Sequence, residues 1–313
     1  MSQLQSPREP WIDMKTLMAI QDLPWRAKTL VDGLNAGMHR SPLHGFSVEF
    51  SEYRPFSQGD DPRTIDWKLY ARSDRYYVKK FEDETNRRCY LVVDQSRSMN
   101  YGSITYTKHD YARTLGATLS LHLIRQRDAV GLLTFDASVR EIVTARFRHG
   151  QWKRILGLLD REPSGNQTDI AKPLADVAQL VSQRSLVIVL SDFLVPIESL
   201  RVPLGLLRAR RHEVVLMRIL DPREIDFDFD QAAMVRDAET EREIFVDPAI
   251  AKQMYVERFQ AHQSDLKSLC ESAGIAVETL RTDQPMDQAL VRFLSRQQRR
   301  AITRNQPSEV GAP

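Results

Sequence analysis

The sequence predicts an α/β fold: a doubly wound, mainly parallel sheet with an N-terminal helical and β extension. Three observations carry the prediction. From Arg88 onward, short apolar strands alternate with amphipathic helices. Leu186 to Leu190 is an unbroken apolar run rich in β-branched residues, as a central parallel strand covered on both faces requires. Right-handed crossovers then place helices on both sides of the sheet.

The elements follow in order. Residues 11–39 carry apolar residues at helical intervals, and Pro24 splits them into two helices. Residues 40–85 hold turn signals (Gly45, Gly59-Asp60-Asp61-Pro62) and β-prone pieces at Phe46 to Phe50 and Tyr76 to Phe81. Tyr90-Leu91-Val92-Val93 is the first buried strand, and His109 to Gln126 a helix with Ala112, Leu115, Leu119 and Leu123 on one face. Ala129 to Phe135 and Val139 to Thr144 read as hairpinned strands, and Gln151 to Asp160 and Ile170 to Val181 as helices. After the 186–190 strand come a helix over 198–210, a strand over 213–219 and a hairpin of 234–236 with 243–246. A long helix over 248–273, a strand over 275–280 and a helix over 286–297 complete the chain. The expected domains are an extension over 1–86, a main domain over 87–300 with a hairpin insertion near 221–248, and a disordered tail over 301–313.

Composition narrows the function. With 42% apolar and 27% charged residues, the 313-residue chain is long enough and apolar enough for a sizeable core. The net charge of +2 gives no argument for nucleic acid or a membrane surface. No stretch approaches the ~20 apolar residues of a bilayer span, and residues 1–10 lack the apolar segment of a signal peptide. Cys89 and Cys270, the only cysteines, read as buried free thiols. A reducing compartment, and so a cytoplasmic protein, is the expectation.

In an open α/β sheet, ligands collect outside the carboxyl ends of the strands. The first strand exits into Asp94-Gln95-Ser96-Arg97-Ser98, and the 186–190 strand into Ser191-Asp192-Phe193. A third loop, Gly165-Asn166-Gln167-Thr168-Asp169, opens the helix at Ile170. Asp94, Ser96, Ser98, Thr168 and Asp192 then form an all-oxygen set of two carboxylates and three hydroxyls. Such sets suit hard cations, above all Mg²⁺, and the lack of imidazole and thiolate disfavours Zn²⁺ and Cu²⁺. Two carboxylates only balance a divalent ion, so it stays electrophilic at an open position that an Asp or Glu could fill.

The five residues, in this order and at these element boundaries, resemble the metal-ion-dependent adhesion site of von Willebrand factor A domains. The resemblance covers about residues 87–300. It implies a von Willebrand factor A-like fold, Mg²⁺ or Mn²⁺ at the top of the sheet, and no catalysis. A second resemblance rests on Glu52 to Phe56, Gly59 to Trp67, Ala71-Arg72 and Val78 to Glu82, which are similar to the signature of the domain-of-unknown-function 58 family. That family carries this block directly before an A-type domain. Its members are commonly linked with MoxR-type AAA+ ATPases in chaperone-like or complex-remodelling systems. The resemblance implies such an ATPase as partner, along with other proteins presenting an Asp or Glu. Some relatives carry N-terminal membrane helices, which are not expected here, and neither a membrane span nor nucleic-acid binding is expected of this chain. Arg54, Asp61, Arg63, Asp66, Trp67 and Arg72 are the candidate partner-binding residues.

Plainer readings stand beside these. Asp94 and Asp192 could each bond a loop or cap a helix, and Thr168 or Asp169 could cap the helix at Ile170. The Arg/Asp block could be an ion-pair network around Trp67. The chain lacks a phosphate-binding Gly-x-x-x-x-Gly-Lys-Ser/Thr loop and a Gly-x-Ser-x-Gly elbow. A Mg²⁺-dependent phosphohydrolase using Asp94 would need a second carboxylate two residues on, where Ser96 stands. The alternatives are such a hydrolase, or a structural assembly subunit with a vestigial metal site.

Overall fold

The computed structural model describes residues 12–40, 52–57, 67–73, 75–80, 87–162, 170–228, 233–236, 243–246 and 248–305. The chain forms two compact units, one of Met1–Ala36 with Arg87–Pro313 and one of Gly37–Asn86.

The larger unit opens with α1 (Met14–Ala19), capped by the Asp13 carboxylate on Thr16 N–H, and α2 (Leu23–Arg40). Pro24 sits in the first turn of α2, where its missing N–H costs nothing. Grouped from sequence with the extension, these helices instead pack on the main unit. Ile12 N donates to Asp287 at 3.0 Å, and Met14 is buried with its sulfur against Met286 N at 3.4 Å.

After β3 (Arg88–Asp94) and a 3₁₀ turn (Arg97–Asn100) come α4 (Lys108–Arg125), β4 (Ala129–Phe135), β5 (Val139–Arg146), α5 (Gln151–Leu159) and α6 (Ala171–Leu180). They are followed by β6 (Leu186–Ser191), α7 (Ile197–Ala209), β7 (Glu213–Leu220) and α8 (Pro222–Asp226). The hairpin β8 (Ala233–Arg236) with β9 (Glu243–Val246), α9 (Pro248–Ser272), β10 (Ala276–Arg281) and α10 (Met286–Asn305) end the unit. Met286 opens α10 as expected, but the helix runs to Asn305, so part of the expected tail over 301–313 is helical.

The sheet order is β10-β7-β6-β3-β4-β5, all parallel except the hairpinned edge strand β5. Counted within this sheet, that is the 3-2-1-4-5-6 order of doubly wound folds. The α/β, doubly wound and mainly parallel architecture is therefore the one the sequence predicted. All six residues of β6 are buried, because helices cover both faces. Val187 and Val189 face a cluster with Leu174 and Val177 of α6, Leu204 of α7 and Leu266 of α9. Leu190 faces α4, where a Cβ on Gly116 would meet Leu190 Cδ1 in ordinary van der Waals contact at 3.6 Å. Among the described residues no helix is long and apolar enough to cross a membrane.

The smaller unit holds β1 (Glu52–Pro55), α3 (Trp67–Ser73) and β2 (Tyr77–Lys80). β1 and β2 pair antiparallel, with Arg54 opposite Val78. Four rings touch in series: Trp67 meets Tyr70 edge-on, Tyr70 stacks on Tyr76 at 4.5 Å, and Tyr76 meets Phe56 edge-on. Trp67 is 60% exposed, and Arg72 lies exposed in the last turn of α3. Asp61, Arg63 and Asp66 lie outside the described residues, as do the expected strand at 46–50 and the turn at 237–241.

Candidate metal centre

β3 and β6 are adjacent in the sheet, and their crossovers leave in opposite directions. Their carboxyl ends therefore flank the switch point, where the fold leaves a crevice. β3 delivers Asp94 there and β6 delivers Ser191, followed by Asp192. The 3₁₀ turn after β3 brings Ser96 and Ser98 back over the same point, with Ser96 as its N-cap.

The side chains form one connected set. Asp94 Oδ1 accepts Ser96 N–H at 2.8 Å, and Asp94 Oδ2 accepts the Ser191 hydroxyl at 2.5 Å, which ties the two strand exits together. Ser96 Oγ and Ser98 Oγ are 3.1 Å apart, and Ser98 also bonds Asp192. Asp192 Oδ1 accepts Leu194 N–H at 3.2 Å. Asp94, Ser96, Ser191 and Asp192 are all buried. Four of the five sequence-predicted donors thus meet at one place; Thr168 lies outside the described residues.

Lys108, Glu224, Ser191 and Arg218 also belong to this node, and the sequence reading passed over all four. Lys108, at the first position of α4, is fully buried and places its ammonium 2.7 Å from Asp192 Oδ2 and 2.5 Å from Glu224 Oε1. Arg218 of β7, equally buried, donates from Nε to the Asp192 carbonyl at 3.1 Å. Its Nη2 lies 3.3 Å from His262 Nδ1, while His262 Nε2 lies 2.9 Å from the Val195 carbonyl. Only the Nε2–H tautomer satisfies both contacts. Ser191 was legible as the neighbour of Asp192. Lys108 and Glu224 were not, since they are 84 and 32 residues from Asp192 and no periodicity joins them.

The residue after Asp192 is held unusually. Phe193 has φ 51°, a left-handed conformation in which a bulky side chain is strained by about 1–3 kcal/mol. Complete burial of its ring and the Phe193 N–H to Ser191 Oγ bond at 3.2 Å hold it there. The carboxylate of the preceding Asp192 meets Ser98 of the turn after β3.

Electrostatics separate the two acids. Burial pushes Asp94 up to about 7, and the Asp192 charge adds to the rise against the bonds from Ser191 and Ser96. Burial would also raise Asp192, but the charge and hydrogen bond of Lys108, with Leu194 N–H and Ser98, hold it below the usual carboxylate range. Glu224 is raised by its burial in spite of Lys108.

This donor set fits a hard divalent cation. It offers carboxylate and hydroxyl oxygens only, although among the described residues no three His, Cys, Asp or Glu side chains are grouped to hold a metal ion. A cation at Asp94 would offset both its desolvation by burial and the repulsion of the Asp192 charge. With Asp94 ionised, the node sets three carboxylates (Asp94, Asp192 and Glu224) against two cations (Lys108 and Arg218).

The chain is similar to other uncharacterized proteins. An uncharacterized protein of Mycobacterium tuberculosis (strain ATCC 25618 / H37Rv) is 28% identical over 299 residues, covering 94% of this chain and 93% of that one. An uncharacterized protein of Mycobacterium avium is 32% identical over 155 residues, covering 49% and 90%. Similar solved structures include an aerotolerance-related membrane protein from Bacteroides fragilis NCTC 9343, with 11% identity and TM-score 0.46 over 67% of this chain and 99% of that one. The SpRpn10 VWA domain has 12% identity and TM-score 0.38 over 65% and 93%. The family described as "Protein of unknown function DUF58" matches residues 52–267, more than half of the sequence, and the chain belongs to that family.

Proposed function

We propose that the protein is a non-enzymatic, metal-dependent interaction module that binds Mg²⁺ or Mn²⁺ at Asp94, Ser96, Ser98, Thr168 and Asp192 and captures an Asp or Glu of a partner. One observation carries the reading: Asp94 and Asp192, delivered by adjacent strands at the switch point, are buried together beneath paired serine hydroxyls. A divalent ion turns the node's one excess negative charge into one excess positive charge. Attraction of an outside carboxylate follows from that balance.

A MoxR-type AAA+ ATPase in the cytoplasm is the partner we propose, with this chain as its adaptor or co-chaperone in complex assembly or remodelling. The two buried free cysteines suit that compartment. Arg54, Asp61, Arg63, Asp66, Trp67 and Arg72 are proposed as a second contact. The exposed Trp67 ring supports this, since large exposed aromatics are favoured binding anchors.

Pull-down of a MoxR-type ATPase from the same genome tests the proposal. Capture is expected in Mg²⁺, and is expected to be lost in chelator and in a folded Asp94→Ala variant. Equal capture by wild type and variant, with and without chelator, rules out metal-mediated binding.

A further inference from the structure

We infer that Lys108 is a built-in counter-cation that competes with a divalent ion for Asp192 and falls back on Glu224 when displaced. The inference rests on the metal-site reading above and concerns how that site is regulated.

Lys108 is an unexpected residue for its position. It opens α4, where the helix dipole disfavours a cation. The helix does not need it as a cap, because Thr107 and Asp110 form a complete capping box. Its side chain has no solvent exposure, so an unpaired ammonium there would be strongly destabilising. Two carboxylates and the Tyr101 ring, 6.0 Å away, compensate it.

Neither carboxylate depends on Lys108 for its place. Glu224 Oε2 accepts Asp221 N–H at 2.9 Å within the α8 capping box, and the Glu224 carbonyl accepts the Tyr255 hydroxyl at 2.7 Å. Asp192 is fixed by Leu194 N–H and, at its carbonyl, by Arg218. Lys108, on a stem of rotatable methylenes, is the member of the trio that can yield. In the arrangement described it holds Asp192 Oδ2 and so neutralises the carboxylate that a cation shared with Asp94 would need. Two cations on one carboxylate repel, so tight metal binding requires the ammonium to give up Asp192. Glu224 Oε1, already at 2.5 Å, keeps it paired. The lysine thus offsets part of the carboxylate charge without a metal and weakens metal affinity.

Calorimetric titration of Mn²⁺ into wild type, Lys108→Met, Glu224→Gln and Asp94→Ala tests this. Lys108→Met is expected to bind on the order of tenfold tighter than wild type, since a competing like charge is gone. Without ion it should melt lower than wild type, and it should recover when Mn²⁺ is added. Glu224→Gln is expected to bind more weakly than wild type, because the ammonium then has only Asp192. Unchanged or weaker binding by folded Lys108→Met overturns the inference, as does unchanged binding by Glu224→Gln, which decides alone if Lys108→Met does not fold. Wild-type binding that Asp94→Ala abolishes, together with either of those results, leaves the metal site standing and removes the role of Lys108. Absence of Mn²⁺ binding by wild type removes both.

Discussion

Asp94 experiences opposing forces at a single atom group. Its two oxygens accept bonds from Ser96 N–H and the Ser191 hydroxyl, which favour the ionised form, yet burial and the Asp192 charge raise it to about 7. In the unfolded chain it ionises near its ordinary 3.8. Between these values the folded state holds a proton that the unfolded state releases, so this group lowers stability as pH rises from about 4 to about 7. Asp94→Asn removes the effect. Melted in chelator from about pH 5 to about pH 7.5, the variant should gain on wild type as pH rises; a constant difference across that range would show that Asp94 stays ionised. Divalent metal should abolish the wild-type loss. The Asp-x-Ser-x-Ser pattern made Asp94 legible in the sequence. The charged groups around its neighbour Asp192 were not, because Lys108 and Arg218 reach that residue from other elements.

At the scale of elements, α4 buries two histidines, and burial lowers both His109 and His122 to about 4. A buried neutral histidine supports the fold fully above 6.5, and its contribution disappears as pH falls toward 4. His122→Gln keeps a polar group of similar size but cannot protonate. Its melting temperature should therefore fall less than that of wild type between about pH 7 and about pH 5; an equal fall would mean that His122 is already protonated in the fold. β4 supplies a steric constraint. A Cβ on Gly131 would lie 2.6 Å from Tyr90 Cε1 and 2.7 Å from the Ala145 backbone nitrogen, which itself donates to Tyr90 Oη at 3.2 Å. Gly131→Ala should cost about 1–3 kcal/mol in urea unfolding, and an unchanged midpoint would show that the strand shifts freely. α4 was legible from side-chain spacing and β6 from its unbroken apolar run. α8 was not read, although Asp221-Pro222-Arg223-Glu224 spells a capping box with proline in the first turn. Its five residues are too few for periodicity to show, and the same holds for the four-residue β1.

For the whole molecule, strand alternation predicted the layers, and the observed order adds what alternation cannot supply: β3 and β6 are neighbours although 91 residues lie between Asp94 and Leu186. That adjacency brings two separate strand exits to one point. The boundary expected near 86 placed α1 and α2 with the N-terminal extension, because local pattern carries no sign of the bond between Ile12 and Asp287, 275 residues apart. If the smaller unit supplies the second partner contact, Trp67→Ala should weaken ATPase capture several-fold and leave Mn²⁺ affinity unchanged. Loss of metal affinity in that variant would instead tie Trp67 to the folding of the whole chain.

The central claim is that separate strand exits share one divalent ion, and calorimetric titration of Mg²⁺ into purified wild type, Asp94→Ala and Asp192→Ala addresses it most directly. The account predicts a single saturable site in wild type that is absent from both folded variants. No heat of binding in wild type, or the same binding in all three proteins, would contradict it.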